Sequence, residues 1–118
     1  MITLYGIENC DSVKKARNWL SIHSIDYHFH DFRQDGVDPD RVNTWLTELG
    51  WETLINKRSS SWKALSEDVR LRMDNNTALA AILELPALIK RPLLDTGNER
   101  LCGFSAASYK QLFSVHTL

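Results

Sequence analysis

Short apolar runs typical of strands alternate along the chain with segments whose apolar residues have helical spacing. The first strand-like run and the first helical segment both lie near the N-terminus. Residues 2–5 form a β-prone run that ends at Gly6. Beyond it, apolar residues recur at the three- and four-residue spacing of one helix face. They are Val13, Ala16, Trp19 and Leu20. We therefore predict a strand, a loop and a helix, in that order.

A second strand is predicted over residues 25–32, where aromatic residues alternate with polar ones. Tyr27 and Phe29 fall on one face of this segment, and His28 and His30 fall on the other. A strand, a helix and a second strand in succession require parallel pairing with a right-handed crossover. The opening of the chain therefore predicts a βαβ unit.

Helices dominate the middle of the chain. Asp38 and Pro39 are typical of a helix N-cap and first turn, and Gly50 marks the end of that helix. Residues 64–73 and 77–85 predict two further short helices, separated by a turn and cap signal at Asp74, Asn75 and Asn76. These segments predict a helical insertion spanning approximately residues 38–85.

A late hairpin and a final helix complete the pattern. Gly97 and Asn98 mark a turn between residues 93–94 and the run 100–104. Ser105 is placed to cap a last helix that carries apolar residues on one side. The whole chain, residues 1–118, is therefore predicted to be one α/β domain with a mixed four-stranded sheet, flanking helices and the helical insertion.

Composition and charge narrow the class of protein. The 118 residues are 43% hydrophobic and 25% charged, which is typical of one folded globular domain. The formal net charge is −1, so no long-range field attracts nucleic acid or an anionic membrane. We expect no direct nucleic-acid partner and no membrane association, and a monomer is the default.

The N-terminus and the cysteine content suggest a compartment. The chain begins without a basic leader and apolar stretch, and no run reaches the length of a spanning helix. Two cysteines in a chain of this size are unlike the disulfide framework of a small secreted domain. We therefore expect a cytoplasmic protein with reduced thiols.

Cys10 is the main candidate for chemistry because it lies between the first strand and the first helix. Unpaired backbone N–H groups and the positive end of the helix dipole stabilise an anion at such a position. Lys14 adds positive charge nearby, whereas Glu8 and Asp11 oppose it, so the sign of the local field stays open. The alternative is that Cys10 is simply a small buried apolar residue.

The chain lacks a Cys-x-x-Cys pair, because position 13 is Val. An oxidised Cys10 would then be resolved by an external thiol such as glutathione, or by Cys102 if the fold brings the two together. Cys102 alternates in the last predicted strand, and we predict that it is a packed core thiol.

Several motifs resemble the arsenate-reductase-like (ArsC/Spx) family, and in particular its YffB group, over essentially the whole chain. The motifs are residues 5–17 with Cys10 at their centre, Trp51, residues 88–92 and residues 100–104. The resemblance implies a thioredoxin-like fold with an inserted helical subdomain, Cys10 as the active thiol and Pro92 as a cis-proline facing it. It also implies glutathione-linked thiol reduction.

The same resemblance bears on arsenate. Arg91 matches the arginine that precedes this proline in arsenate reductases, but two further oxyanion-binding arginines of their pattern are replaced by Asn56 and Gly103. Lys57 and Arg58 are nearby substitutes. A doubly charged oxyanion favours several fixed guanidinium donors, so these replacements weigh against arsenate reduction.

A pair of histidines and a cluster of basic residues are two further candidates for a functional site. His28 and His30 share a strand face, but two ligands do not make a zinc site, and we predict no metal. Lys57, Arg58 and Lys63 surround a serine-rich segment that fits either a solvated surface loop or a wall of the Cys10 cleft.

The sequence thus predicts a monothiol oxidoreductase with no bound cofactor, which uses glutathione or another small thiol as co-substrate and acts on a protein disulfide or a smaller one. The alternatives are an Spx-like module that binds RNA polymerase and an arsenate reductase. The predicted catalytic residue is Cys10. The predicted substrate-binding residues are Asn9, Asp11, Ser12, Lys14, Lys57, Arg58, Arg91 and Pro92.

Overall fold

A computed structural model of the chain describes residues 1–114. The strands are β1 (Thr3–Gly6), β2 (His28–Asp31), β3 (Leu93–Asp95) and β4 (Arg100–Cys102). The α-helical segments are α1 (Asp11–Ile22), α2 (Phe32–Asp35), α3 (Pro39–Leu49), α4 (Trp51–Leu54), α5 (Ser60–Ala64), α6 (Glu67–Leu71), α7 (Asn75–Glu84) and α8 (Ala106–Leu112). A 3₁₀ turn spans Pro86–Leu88.

The sheet has the strand order β2-β1-β3-β4. β1 pairs in parallel with β2, while β3 runs antiparallel to both β1 and β4. This arrangement confirms the predicted mixed four-stranded sheet. The register matches Tyr5 with His30 on one side and with Leu93 on the other, and it matches Leu93 with Cys102.

One face of the sheet is covered by α1 and α8. The fully buried members of this core are Leu4, Ala16, Leu20, Leu94 and Tyr109. The helical spacing predicted for α1 is confirmed, because Val13, Ala16 and Leu20 are all buried. Their burial on one stripe explains why an otherwise polar helix packs here.

The second strand is shorter than predicted. Residues 25–27 precede the strand, which begins at His28, and Phe32 already belongs to the short helix α2. The side chain of Asp31 accepts a hydrogen bond from the Arg33 amide at 2.8 Å, a turn that diverts the chain from the strand into the helix. This short-range competition ends the alternating segment early.

Contacts divide the chain into two compact units. One comprises Met1–Arg33 with the segment from Arg91 onward, and the other comprises Gln34–Lys90. The second unit is the helical one, and its buried residues include Val42, Trp45 and Ile82.

The helix over residues 39–49 begins and ends as predicted. The side chain of Asp38 accepts a hydrogen bond from the Asp40 amide, and Gly50 has a positive φ of 81° at the C-cap. Asn75, the first residue of α7, bonds to both the last turn of α3 and the start of α4. Its side chain accepts from the Trp51 amide at 3.0 Å and donates to the Leu46 carbonyl at 3.2 Å.

The single helix predicted over residues 64–73 is wrong. The chain forms α5 and α6 instead, separated at Leu65 and Ser66. The Ser66 side chain accepts from the Val69 amide at 3.2 Å, and Ser59 does the same for the Trp62 amide at 3.1 Å. The Ser59 hydroxyl therefore starts one helix before the predicted interval, and the Ser66 hydroxyl starts another within it, where the apolar spacing resembles that of a single helix.

The hairpin and the last helix agree with the prediction. β3 and β4 pair around the turn at Gly97, and Ser105 caps α8 by accepting from the Ser108 amide at 3.0 Å. Among residues 1–114, no helix is both long and apolar enough to cross a membrane.

Candidate active site

Cys10 lies at the start of α1 and forms its N-cap. Its backbone is extended, with φ −105° and ψ 125°, and its carbonyl accepts the first helical hydrogen bond from the Lys14 amide at 3.0 Å. Its side chain makes no capping hydrogen bond. The thiol therefore stands at the positive end of a 12-residue helix without being committed to the backbone.

Cys10 is partly exposed to solvent. Cys10 is half-buried, which excludes the interpretation of a fully enclosed apolar residue. The predicted binding residues that flank it are all exposed. They are Asn9, Asp11, Ser12 and Lys14. The loop and the first helical turn thus present polar groups around a partly open thiol.

The Arg91–Pro92 peptide bond is cis, as the resemblance implies. Pro92 is buried and Arg91 is half-buried, immediately before β3 begins at Leu93. The Pro92 carbonyl accepts a hydrogen bond from the Gly103 amide at 2.8 Å, which ties this segment to the end of β4.

Strand register brings these segments to one end of the sheet. Tyr5 pairs with Leu93, so the end of β1 adjoins the start of β3. The loop that leads to Cys10 leaves β1 at that end, and the cis-proline segment enters β3 there. Cys10, Arg91 and Pro92 are therefore delivered to the same end of the sheet by antiparallel pairing.

Cys102 reaches the same end, because it is the last residue of β4 and pairs with Leu93. It is half-buried, so the prediction of a thiol packed in the core is wrong. The physical reason is that β4 is an edge strand, with no further strand on its outer side to enclose the residue.

Lys57 and Arg58 lie in the helical unit. The Lys57 ammonium is 4.8 Å from the centre of the Trp51 ring and 3.5 Å from a Glu52 carboxylate oxygen. Both members of the ion pair are exposed, so the pair adds little stability. The Arg58 amide donates to the Asn56 side chain at 3.0 Å. Their role as a wall of the Cys10 cleft stays a prediction.

Of the two histidines of β2, His28 is exposed and His30 packs against aromatic side chains. The His30 ring centroid is 4.8 Å from that of Tyr5 and 5.8 Å from that of Phe32. Within residues 1–114, no group of three or more His, Cys, Asp or Glu side chains is arranged to hold a metal.

Sequence reasoning missed two residues at this end of the sheet. Gly6 and Asp31 are paired in the register of β1 and β2, and both are buried. Asp31 is the one buried charged residue among residues 1–114. The turn at Asp31 could have been predicted, because an aspartate commonly accepts a hydrogen bond from the backbone amide two residues later, here that of Arg33. The close contact of Gly6 with α1 could not, because no local sequence pattern indicates it.

The family model of the ArsC family matches residues 5–112 of the chain. This chain belongs to the ArsC family. Its fold is thioredoxin-like, as the sequence predicted, and matches a solved structure named YFFB with a TM-score of 0.89. That match has 37% sequence identity and covers 94% of this chain and 97% of the other.

Two relatives extend the comparison. A protein from Haemophilus influenzae is 45% identical over 114 residues, which is 97% of this chain and 100% of the relative. The global transcriptional regulator Spx from Lactiplantibacillus plantarum is 30% identical over 96 residues, which is 80% of this chain and 72% of the relative.

Two positions set this ArsC-family chain apart from the arsenate-reductase pattern noted in the sequence. Gly103, with φ +76°, donates its amide to the Pro92 carbonyl and offers no side chain. The Asn56 side chain accepts from the Arg58 amide within its own loop. Neither position supplies a guanidinium group, so the chain lacks two of the fixed cationic donors of that pattern.

Proposed function

We propose that this protein is a monothiol oxidoreductase that reduces disulfides through Cys10 and uses glutathione as its co-substrate. The observation that carries the proposal is the half-buried Cys10 thiol at the N-cap of α1, free of any capping hydrogen bond. A thiolate is stabilised at this position, and the thiolate is the nucleophile of disulfide exchange.

The reaction balances with two molecules of glutathione. The Cys10 thiolate attacks one sulfur of a disulfide, forms a mixed disulfide and releases the other sulfur as a thiolate, which takes up a proton. A first glutathione thiolate then displaces the second substrate thiol and leaves Cys10 joined to glutathione. A second glutathione attacks the glutathione sulfur of that bond, giving oxidised glutathione and the Cys10 thiolate.

Val13 is the reason for assigning the resolving role to an external thiol. It occupies the position at which a dithiol enzyme carries its second cysteine, and it is fully buried. No disulfide within the first turn is available to Cys10, so we assign the resolving step to a small thiol, with Cys102 at the same end of the sheet as the alternative that Cys102→Ser tests.

The surrounding residues are assigned to binding. Exposed groups of the loop and first turn, Asn9, Asp11, Ser12 and Lys14, are suited to hold the polar backbone of glutathione. Arg91, beside the cis Pro92, is suited to pair with one of its carboxylates. Lys57 and Arg58 are proposed as a further cationic edge of the site. We also propose that the protein acts as a monomer in the cytoplasm.

The test is the reduction of bis(2-hydroxyethyl) disulfide by glutathione, measured for the wild type and two matched variants. Glutathione reductase converts the oxidised glutathione formed back to glutathione, and the loss of NADPH reports the rate. Cys10→Ser should reduce turnover to the uncatalysed rate, because it removes the nucleophile. Cys102→Ser should retain most of it, and mass spectrometry after exposure to oxidised glutathione should find one adduct, at Cys10. Equal turnover by wild type and Cys10→Ser would refute the proposal.

A second candidate, from a different class, is a regulatory module that binds RNA polymerase. It is supported by the 30% identity to Spx over 80% of this chain. Buried Val13 weighs against redox control through a local dithiol. Retention of polymerase by the immobilised protein, unchanged in Cys10→Ser, would favour this candidate, and failure to retain it would remove the candidate.

A third candidate is arsenate reduction, which is supported by membership of the ArsC family and by Arg91. The amide of Asn56 and the bare backbone of Gly103 weaken it. Arsenate-dependent turnover with glutathione and glutaredoxin that does not exceed that of Cys10→Ser would dispose of this candidate.

A further inference from the structure

Gly6, the last residue of β1, lies directly beneath the first turn of α1. A Cβ atom built on Gly6 would lie 2.6 Å from Val13 Cγ2 and 3.4 Å from Val13 Cγ1. The first of these distances is shorter than carbon atoms tolerate. Because Gly6 is an ordinary strand residue, the close approach of Val13 is what excludes a side chain there.

Val13 cannot easily yield to a new side chain at position 6. It is fully buried, and its branched side chain is restricted to few rotamers in a helix. The clashing atom is a methyl group one bond from Cβ rather than the end of a long flexible chain. A Cβ on Gly6 would therefore push the first turn of α1 away from the strand.

That turn is the part of the helix that carries Cys10. Val13 is three residues after Cys10, and the Cys10 carbonyl is bonded to the Lys14 amide at 3.0 Å. The absence of a side chain at Gly6 therefore lets the helix N-terminus lie close to the end of β1, and this close approach fixes the position of the thiol relative to the sheet end where Pro92 enters β3.

We propose that Gly6 is a positioning residue for the Cys10 thiol: its missing side chain leaves room for the first turn of α1 to pack closely against β1, which holds Cys10 at the helix N-terminus in its reactive arrangement. This proposal rests on the proposed function, since it explains how the reactivity of Cys10 is maintained. Gly6 does not touch the substrate and acts only through Val13.

Three variants separate positioning from simple stability, each in a Cys102→Ser background. Gly6→Ala should displace the first turn. Val13→Ala removes buried methyl groups from the same contact but leaves the approach to Gly6 open. In the Gly6→Ala/Val13→Ala double variant, the loss of the Val13 methyl groups makes room for the new Cβ.

The readout is the rate of Cys10 alkylation by iodoacetamide at pH 7, divided by the rate at pH 10, with thermal unfolding measured in parallel. An unperturbed thiol gives a ratio of about 0.03, because it is only a few per cent ionised at pH 7. The proposed function requires a wild-type ratio above this value, and we expect Gly6→Ala to lose about three- to tenfold of the wild-type ratio, the scale of a helix-terminus effect. Val13→Ala and the double variant should stay within about twofold of the wild type.

The outcomes distinguish the two proposals. A wild-type ratio equal to that of free cysteine overturns the proposed function itself. An activated wild type with an equally reactive Gly6→Ala, or a double variant no more reactive than Gly6→Ala, overturns the positioning role. An equal loss in Gly6→Ala and Val13→Ala does so too, because the contact would then matter only for stability. If Gly6→Ala does not fold, the double variant must fold and match Val13→Ala, and its failure to do so would reject the proposal.

Discussion

Among single residues, Tyr109 is the clearest case of a polar group in an apolar setting. It is fully buried in the core beneath the sheet, with the Phe104 ring 4.8 Å away and the Trp19 ring 5.5 Å away, both edge to face. Its hydroxyl has no hydrogen-bond partner among residues 1–114. Burial raises the pKa of Tyr109 above its ordinary 10.0, and the nearby Cys102 thiol adds to the shift.

Replacing Tyr109 with Phe should therefore cost little stability at pH 7, because it removes an unsatisfied buried hydroxyl rather than a bond. Tyr27→Phe is the matched control, since its hydroxyl accepts from Arg17 Nε at 3.0 Å and its loss should cost about 1 kcal/mol. Urea unfolding of both variants at pH 7 makes the comparison. A greater loss for Tyr109→Phe than for Tyr27→Phe would show that the Tyr109 hydroxyl is bonded in solution.

The raised pKa of Tyr109 also predicts a pH dependence. The folded state keeps the phenol neutral, so its stabilising effect is complete below pH 10.0 and is lost as the pH rises above that value. The free energy of unfolding of the wild type should therefore fall faster above pH 10.0 than that of Tyr109→Phe. Parallel declines for the two proteins would contradict the assigned shift.

At the level of secondary-structure elements, N-cap residues decide where most of the helices begin. The caps at Asp38, Asp74 and Ser105 are all confirmed, because each makes its bond to an amide two or three residues further along the chain. The caps at Ser59 and Ser66 were missed, although they use the same chemistry. Apolar residues on both sides of Ser66 gave a helical spacing that hid the break.

The cap of α7 is reciprocal. The Asp74 side chain accepts from the Thr77 amide at 2.8 Å, and the Thr77 hydroxyl accepts from the Asp74 amide at 2.9 Å. Bonds from the Thr77 amide, and then from its hydroxyl, lower the pKa of Asp74 below its ordinary 3.8. The stabilisation is thus present above pH 3.8 and is lost as the pH falls through the lowered value.

Asp74→Ala should lower the thermal midpoint at pH 7, followed by far-UV circular dichroism, whereas Asp74→Asn should retain most of it because asparagine also caps helices. Below pH 3.8 the difference between wild type and Asp74→Ala should shrink as the carboxylate is protonated. A difference that is constant across this range would mean that the charged form contributes nothing to the cap.

On the scale of the whole molecule, the two central strands of the sheet supply buried residues to its core. β1 and β3 each have a neighbour on both sides, and they supply Leu4 and Leu94, which are fully buried beneath α1 and α8. Truncating a residue of this kind removes buried surface and leaves a cavity.

Leu94→Ala should lower the free energy of unfolding by about 2–5 kcal/mol, measured by urea titration. Ile22→Ala, in the same unit but 68% exposed at the end of α1, is the control and should change it by less than about 0.5 kcal/mol. Similar values for the two variants would show that the β1–β3 core is not the main source of stability of this unit.

The sequence by itself determined the elements whose signals lie within a few residues. These include the helix caps at Asp38, Asp74 and Ser105, the apolar stripe of α1, the hairpin turn and the location of Cys10 between a strand and a helix, because each depends on local hydrogen bonds and side-chain spacing. Only the tertiary structure decided which residues from distant parts of the chain lie next to one another. Pairing of β1, β3 and β4 brings Cys102 to the end of the sheet that Cys10 and Pro92 share, and the packing of Val13 on Gly6 excludes a side chain at position 6. Such contacts join residues far apart along the chain, and their geometry is set only when the whole sheet has formed.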